Sequence, residues 1–317
     1  MHAVAVTDFG ARPEIMHLPV PAPGPGEILL RIYAAGMNPF DWKVADGALR
    51  GAVPHAFPLI LGNDAAGVVE ETGSGVTRFQ PGDQVFGQVM NLPRGQGAYA
   101  DYAVASADGH LARIPGGLPY TVAAALPTAS ATAYNAIEAS AAGSGQTILI
   151  NGAAGGVGQS AVQFAAARGA MVLATASPAA AGQIRDLGAS HIIDHTQGPT
   201  ADQVRAAHPA AIDAVLDLVS TPATAGALHE LAALVRPGGI VISTNGAADV
   251  EALTARGIRA VNFSNKTSAE LLATLADQAS AGKLRVRIDA EVPLAEAPAA
   301  IAAARTGHAR GKTVIIP

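Results

Sequence analysis

The chain has 317 residues, 50% of them apolar, and carries a net charge of −5 at neutral pH. That length accommodates about two domains of ~150 residues each, and the apolar half lets each bury a core. The acidic balance, with no dense Lys/Arg cluster, excludes a nucleic-acid surface, and the absence of cysteine excludes disulfides, thiol catalysis and every zinc site with sulfur ligands.

The opening "MHAVAVTDFG" lacks a basic stretch followed by an apolar core, so no signal peptide is expected and the chain reads as cytoplasmic. Up to about residue 120, "GEILLRIYAAGMNP", "AGVVEETGSGVTRFQPGDQVFG" and "GAYADYAV" read as strands, with turns at Gly73-Ser74-Gly75 and Pro81-Gly82-Asp83. Strands so spaced, without helices between them, suggest a small, mostly antiparallel barrel or sandwich. "YTVAAALPTASATAYNAIEASAAG", interrupted by Pro127, Asn135 and Glu138, reads as a soluble helix and not a membrane span.

From about residue 121 the rhythm changes. Apolar strands are expected at 147–151, 170–174, 191–194, 213–217, 239–243 and 258–261. Helices fit between them at Gly156–Arg168, Pro178–Leu187, Asp202–Ala207, Thr221–Val235 and part of Ala247–Ala255. Strands alternating with helices predict an α/β domain with a doubly wound parallel sheet. From Phe263 onward, one helix (Ser268–Ala281) and a final strand, "KTVII", are expected to return to the first domain.

"TILINGAAGGVGQSAVQFAA" carries the chemistry. Gly152, Gly155 and Gly158 fall directly after a strand and at the opening of a helix, inside a strand–helix–strand unit. That is the context a dinucleotide fingerprint requires: residues without Cβ let the turn close and the backbone approach a pyrophosphate, and the exposed N–H groups at the helix start meet its charge. The cradle spans Gly152, Ala153, Ala154, Gly155, Gly156, Val157 and Gly158. NAD binders carry Asp or Glu about 20 residues beyond the motif. Here "LATASPAA" offers Thr175 and Ser177 instead, hydroxyls that admit a 2′-phosphate, so NADPH is the expected coenzyme. The cation that commonly follows is missing; Arg185 and His195 are the nearest candidates to balance the phosphate.

Longer strings now fall into place. "AAGMNPFDWKVADG", "PLILGNDAAGVVEETGSGVTRFQPGDQVFG", "AAALPTASATAYNAI", "ILINGAAGGVGQSAVQFAAARGA", "DLGASHIID" and "HARGKTVII" resemble the medium-chain dehydrogenase/reductase superfamily, and within it the zinc-independent quinone oxidoreductases and enone reductases. The resemblance covers nearly the whole chain in order. It implies a GroES-like catalytic domain (1–122), an inserted Rossmann domain (123–262) and a C-terminal segment (263–317) completing the first. It also implies a homodimer joined through the edge strand around "IRAVNF". Zinc-dependent relatives carry a metal-binding Cys in the region matching "AAGMNPFD" and "GHE" opposite "LGND"; here those places hold Asn38 and Asn63-Asp64.

Without a Lewis acid, the accessible acceptor is one already activated by conjugation, a quinone or an α,β-unsaturated carbonyl. The resemblance implies a cleft between the domains, lined by "MNPFDWK" and by the turns after the 213–217 and 239–243 strands; Leu218 and Ser243 stand at those turns. Asn38 has two readings, a turn residue bonded to backbone or a polar group beside the nicotinamide. Lys43 is either a solvated surface lysine or a donor to the acceptor carbonyl. Tyr33 and Trp42 pack, or shape the acceptor pocket. Thr128 and Thr132 touch coenzyme or bond to their own helix, and Arg310 and Lys312 are cations near the C-terminus assigned to the coenzyme.

Three other signals fail. "HIIDH" has zincin spacing without the glutamate and sits in a strand, "GHARGKT" lacks one residue and a following helix for a P-loop, and no nucleophile elbow occurs. Two alternatives to the free-acceptor reductase remain: an enoyl reductase acting on a pathway-specific thioester, and a non-catalytic NADPH-binding redox sensor.

Overall fold

In the computed structural model, which describes residues 1–307 and 310–317, the chain divides into two units: Met1–Ala131 with Thr267–Pro317, and Thr132–Lys266. The expected "HARGKTVII" string therefore falls partly outside the described residues, at 308–309. In chain order the elements are β1 (His2–Val6), β2 (Glu14–His17), β3 (Glu27–Gly36), α1 (Pro39–Ala45), β4 (Leu59–Ile60), β5 (Asp64–Thr72), β6 (Gln84–Gln88), β7 (Tyr102–Ser106), β8 (Leu111–Arg113), α2 (Tyr120–Ala125) and α3 (Ala129–Ser140). There follow β9 (Thr147–Asn151), α4 (Gly156–Ala167), β10 (Met171–Thr175), α5 (Pro178–Asp186), β11 (His191–Ile193), α6 (Thr200–Ala207), β12 (Ile212–Asp217), α7 (Ala225–Ala232), β13 (Val235–Ser243), α8 (Val250–Ala255) and β14 (Arg259–Asn262). The last are α9 (Ala269–Ser280), β15 (Ile288–Pro293), α10 (Ala297–Ala304) and β16 (Lys312–Ile316).

The first unit is β-rich, with β3 at its centre. β3 pairs antiparallel with β5, β7 and β16, β15 adds parallel to β16, and β6 and β8 extend the sheet beyond β5. A separate small sheet runs β2-β1-β4. Ile28, Leu30 and Ile32 on β3 join Leu59, Leu61 and Tyr99 in one buried cluster. At the end of β3 the sheet touches α2 so closely that a Cβ on Gly36 would lie 2.2 Å from the Ala124 carbonyl oxygen.

The expected single helix over 120–143 is corrected to two, α2 and α3, separated by Leu126-Pro127-Thr128. Proline cannot donate to a helical ladder, so the helical bonding pattern breaks at Pro127. Because α2 packs on β3 and β5, the boundary between the units falls at 131/132, whereas the sequence placed it at 122/123.

The second unit is a six-stranded parallel sheet in the order β11-β10-β9-β12-β13-β14. Renumbered within the unit this is 3-2-1-4-5-6, the doubly wound Rossmann order. Ile148, Ile150, Val172 and Ala174 face one buried cluster while Leu149, Leu173 and Val215 face another. Burial on both faces explains why these strands read as continuous apolar runs instead of alternating ones. The helix expected over Thr221–Val235 is shorter, Ala225–Ala232, because β13 already begins at Val235.

Candidate functional site

In the second unit the chain crosses from β9 into α4 at the point where strand order reverses, between β9 and β12. Ligands of doubly wound sheets bind outside the strand ends at this place. Gly152 turns at φ +92°, and a Cβ on it would lie 2.8 Å from Val219 Cγ2 and 3.3 Å from Leu218 Cβ. Gly158 serves packing: a Cβ there would strike the Gly152 carbonyl oxygen at 2.3 Å.

Gly155 is different. It caps α4 with ordinary extended backbone (φ −75°, ψ 170°), and a Cβ would meet only the Gly152 oxygen, at 3.7 Å. Space therefore stands open in front of the first N–H groups of a twelve-residue helix, groups that lack intrahelical partners. The backbone from Ala154 to Val157 is half-buried there, with Ala153 and Gly158 buried beneath it. A diphosphate fits this cradle.

The turn is held from below. The Gly152 N–H donates to Thr175 Oγ1 at 2.8 Å, and the Thr175 hydroxyl donates to Asn151 Oδ1 at 3.1 Å. Asn151 Nδ2 donates to Asp217 Oδ1 at 2.7 Å, and Asp217 also accepts from the Ser220 amide. Gln159 Nε2 ties α4 to the Ala154 carbonyl at 2.7 Å, and Gln183 of α5 donates to Gln159 Oε1. Thr175, expected at the coenzyme's ribose, is thus corrected: it is buried, and its hydroxyl serves the glycine turn. Ser243 is likewise corrected, since it is fully buried and its Oγ accepts the Ala247 amide at 3.0 Å. Asn151, Asp217 and Gln159 were not singled out by sequence; only the polar residue closing each apolar strand run hints at the first two.

Ser177 caps α5, half-buried, with no side-chain capping bond. His195 is exposed just beyond β11, whose Ile193 carbonyl accepts the Ala176 amide. Arg185 lies in the last turn of α5. At 1.5 Å of rise per residue that is about 10 Å along the axis from the Ser177 end, which corrects its assignment beside that phosphate. Leu218 is half-buried against the glycine turn, and Thr132 is buried on α3.

In the first unit, the ends of β3, β5 and β16 converge. Gly36 pairs with Asp64 and with Val314 in the sheet register. This brings together Asn38 just after β3, Asp64 opening β5 and Lys312 opening β16, all buried. Asn38 Nδ2 donates to Asp64 Oδ2 at 2.9 Å and to the Gly36 carbonyl at 3.1 Å. Lys312 Nζ donates to Asn38 Oδ1 and to the Met37 carbonyl, each at 2.6 Å. Thr128, between α2 and α3, donates through its hydroxyl (2.7 Å) and its amide (2.9 Å) to Asp64.

Asp41, in the first turn of α1, accepts from the Asn38 amide (2.8 Å), the Asn63 amide (3.0 Å) and the Tyr99 hydroxyl (2.5 Å). Burial pushes its carboxyl up to about 7 despite those donors. Burial also raises Asp64 and, more strongly, Tyr99, and it lowers Lys312 against the pull of Asp64 and Asp41.

Asn38 therefore keeps the turn-residue reading: its amide is saturated inside the protein. Lys312 is corrected from a coenzyme ligand to an internal counter-charge, because its ammonium is enclosed and engaged with Asn38 and Met37. Arg310 is exposed. Lys43 is exposed in the last turn of α1, and partial desolvation lowers its pKa. Tyr33 is 42% exposed on β3, stacked on Tyr120 with ring centroids 4.9 Å apart and with the Arg31 guanidinium 5.6 Å from its ring, so the structure draws it into a surface aromatic pair. Asp41 and Tyr99 were missed by sequence reasoning. The N-x-x-D spacing Asn38–Asp41 was the available signal for the first, since a residue at the third helical position can reach back to the capping amide.

Among the described residues no group of three or more His, Cys, Asp or Glu is arranged to hold a metal ion, and no helix is long and apolar enough to cross a membrane.

Comparison with known proteins agrees with this architecture. Residues 24–116 match the family model described as alcohol dehydrogenase GroES-like domain, and residues 187–315 match that described as zinc-binding dehydrogenase. The chain is 32% identical to a chloroplast envelope quinone oxidoreductase homolog of Arabidopsis thaliana, over 100% of this chain and 98% of the relative. It is 33% identical to a 2-methylene-furan-3-one reductase of Solanum lycopersicum, over 100% of this chain and 79% of the relative. The solved quinone oxidoreductase of Coxiella burnetii superposes with a TM-score of 0.89 at 29% identity, over 100% and 99% of the two chains. With a fingerprint turn at the switch point of a Rossmann sheet and a GroES-like unit beside it in sequence, the chain belongs to the medium-chain dehydrogenase/reductase superfamily of NAD(P)H-dependent oxidoreductases, in its quinone-oxidoreductase-like branch.

Proposed function

We propose that the protein is an NADPH-dependent reductase of quinones or α,β-unsaturated carbonyls that works without zinc. The observation that carries this reading is the open cradle at Gly155, backed by the end of β10, where Thr175 and Ser177 stand and no carboxylate does. When bound, NADPH supplies a hydride to the electron-poor carbon of a conjugated acceptor, leaving negative charge delocalised onto the acceptor oxygen.

The residues from Ala153 to Val157 would hold the diphosphate by main-chain N–H groups, and Gly152, fixed by Thr175, sets their direction. Ser177 at the start of α5, with His195 on the neighbouring strand end, would receive the 2′-phosphate; an acid at either place would repel it. The names of the Arabidopsis and tomato relatives support a quinone or conjugated enone as the acceptor.

The first unit's polar cluster supports metal-free chemistry. Asn38 and Asn63 each donate to Asp64, and the Lys312 ammonium against Asn38 Oδ1 repels a divalent cation from the position where zinc-dependent relatives place a ligand. The unpaired outer edge of β14 supports a homodimer formed by continuing the six-stranded sheet across a two-fold axis. The test of function is NADPH consumption against a panel of quinones, alkenals and cyclic enones, repeated with NADH and with a chelator. Turnover favouring NADPH and indifferent to chelator is expected. Tight NADPH binding with no turnover across the panel would instead make the protein a sensor.

A further inference from the structure

Gln159 is a costly residue for its place. α4 buries it together with Ala161, Val162 and Ala165, and a polar group so enclosed must find partners. The partners it finds lead to the glycine cradle. Its main-chain N–H donates to the Gly155 carbonyl at 3.0 Å, and its side-chain Nε2 donates to the Ala154 carbonyl at 2.7 Å. One residue grips two consecutive carbonyls at the head of the helix. Because the peptide unit is planar, holding the Ala154 oxygen also sets the Gly155 N–H, which donates to the Gly152 carbonyl at 3.3 Å.

The side-chain amide does this in one orientation. With Oε1 turned toward Ala154, two carbonyl oxygens would face each other. The orientation is selected from the neighbouring helix: Gln183, half-buried on α5, donates through Nε2 to Gln159 Oε1 at 2.9 Å, which leaves the Nε2 end of Gln159 for Ala154. Gln183 belongs to the same helix that Ser177 caps.

We infer that Gln183 and Gln159 form a positioning relay for the coenzyme. Gln183 orients the Gln159 amide, and Gln159 holds the Ala154–Gly155 peptide in the shape that receives a diphosphate. Neither side chain need touch the ligand. This role rests on the NADPH reading of the cradle, and it adds a residue on a second helix that sets diphosphate affinity from a distance.

The test is a set of replacements at position 183 in the full chain, titrated with NADPH by fluorescence and with adenosine 5′-diphosphate and adenosine 2′-monophosphate by calorimetry. Gln183→Lys keeps a donor for Gln159 Oε1 and should bind NADPH within about threefold of the parent. Gln183→Met removes the donor without adding charge; it should weaken NADPH and adenosine 5′-diphosphate about fivefold, the loss of about one hydrogen bond. Charge alone would leave that variant equal to the parent. Gln183→Glu accepts where Gln183 donates, turning the Gln159 amide around, and should weaken both ligands at least about tenfold. Adenosine 2′-monophosphate, which has no diphosphate, should bind every variant as it binds the parent, whereas a merely structural role would weaken all ligands together. Adding Gln183→Met to Gln159→Met should cost nothing further, since the first acts through the second. Parent-like NADPH affinity in Gln183→Met, equal losses for the two adenosine phosphates, or additive losses in the double variant would overturn the relay. A parent protein that binds neither NADPH nor adenosine 5′-diphosphate would instead remove the coenzyme reading on which the relay stands.

Discussion

The ammonium of Lys312 lies 2.6 Å from Oδ1 of Asn38, a residue 274 positions earlier in the chain, and both are buried. This bond fixes the amide's orientation: with Oδ1 accepting from Lys312, Nδ2 must donate, and it does so to Asp64 and Gly36. Lys312 is therefore the counter-charge that allows two carboxylates to sit at the junction of β3, β5 and β16.

Lys312→Met should lower stability by about 3–5 kcal/mol at pH 8, because a buried carboxylate is left without its cation. The loss should shrink at pH 5, because burial already raises Asp64 and removing Lys312 raises it further, so a falling pH works to neutralise the unpaired charge. Urea denaturation at the two pH values checks this. A loss below about 1 kcal/mol at both would show that Lys312 is not holding the cluster together.

Asp41 gives stability an unusual pH slope. Its carboxyl is raised from an ordinary value near 3.8 to about 7, so between those values the folded chain holds a proton that the unfolded chain has released. Its contribution is full below about 4 and is lost as pH rises through about 7, an effect on the order of a few kcal/mol. Asp64 on the same face shifts in the same direction, and Lys312 opposes both. The carboxylates held low by their partners, Glu27 and Asp83, act below this window. The denaturation midpoint should fall between pH 5 and pH 8, and Asp41→Asn should flatten that slope. A midpoint that rises over the same interval in the parent protein would contradict the assignment.

How much of this was legible in sequence depends on the range of the interaction. The strands β9 to β14 and the helices between them are local patterns, apolar runs set off by glycine, and "TILIN" matches β9 from end to end. The glycine turn carries its own context. The Lys312 bond carries none: whether a C-terminal lysine faces coenzyme or core depends on β16 pairing with β3, a register between opposite ends of the chain. Thr175 was visible as a hydroxyl in the right place, but its direction depends on how β10 lies beside β9. Arg185 looked near Ser177 in sequence because a string does not show that a helix carries its last turn away from its first.

The coenzyme preference rests on the end of β10. Ser177→Asp should place a negative charge at the start of α5, lowering kcat/KM for NADPH at least about tenfold relative to NADH. Thr175→Val should act through the turn, weakening both coenzymes equally and costing about 1–2 kcal/mol of stability as the Gly152 amide loses its acceptor. Paired steady-state kinetics with the two coenzymes separates these effects. An unchanged NADPH/NADH ratio in Ser177→Asp, or a shifted ratio in Thr175→Val, would reverse the roles given to the two hydroxyls.

The most direct measurement is the NADPH dissociation constant of Gly155→Val beside that of the parent, by fluorescence titration. The backbone at Gly155 accepts any residue, and an added Cβ meets only the Gly152 carbonyl oxygen, at 3.7 Å. The melting curve should therefore stay close to the parent's while NADPH affinity falls by at least about tenfold. Unaltered affinity in a folded variant would mean that the diphosphate does not rest at the head of α4, and the coenzyme would have to be placed elsewhere.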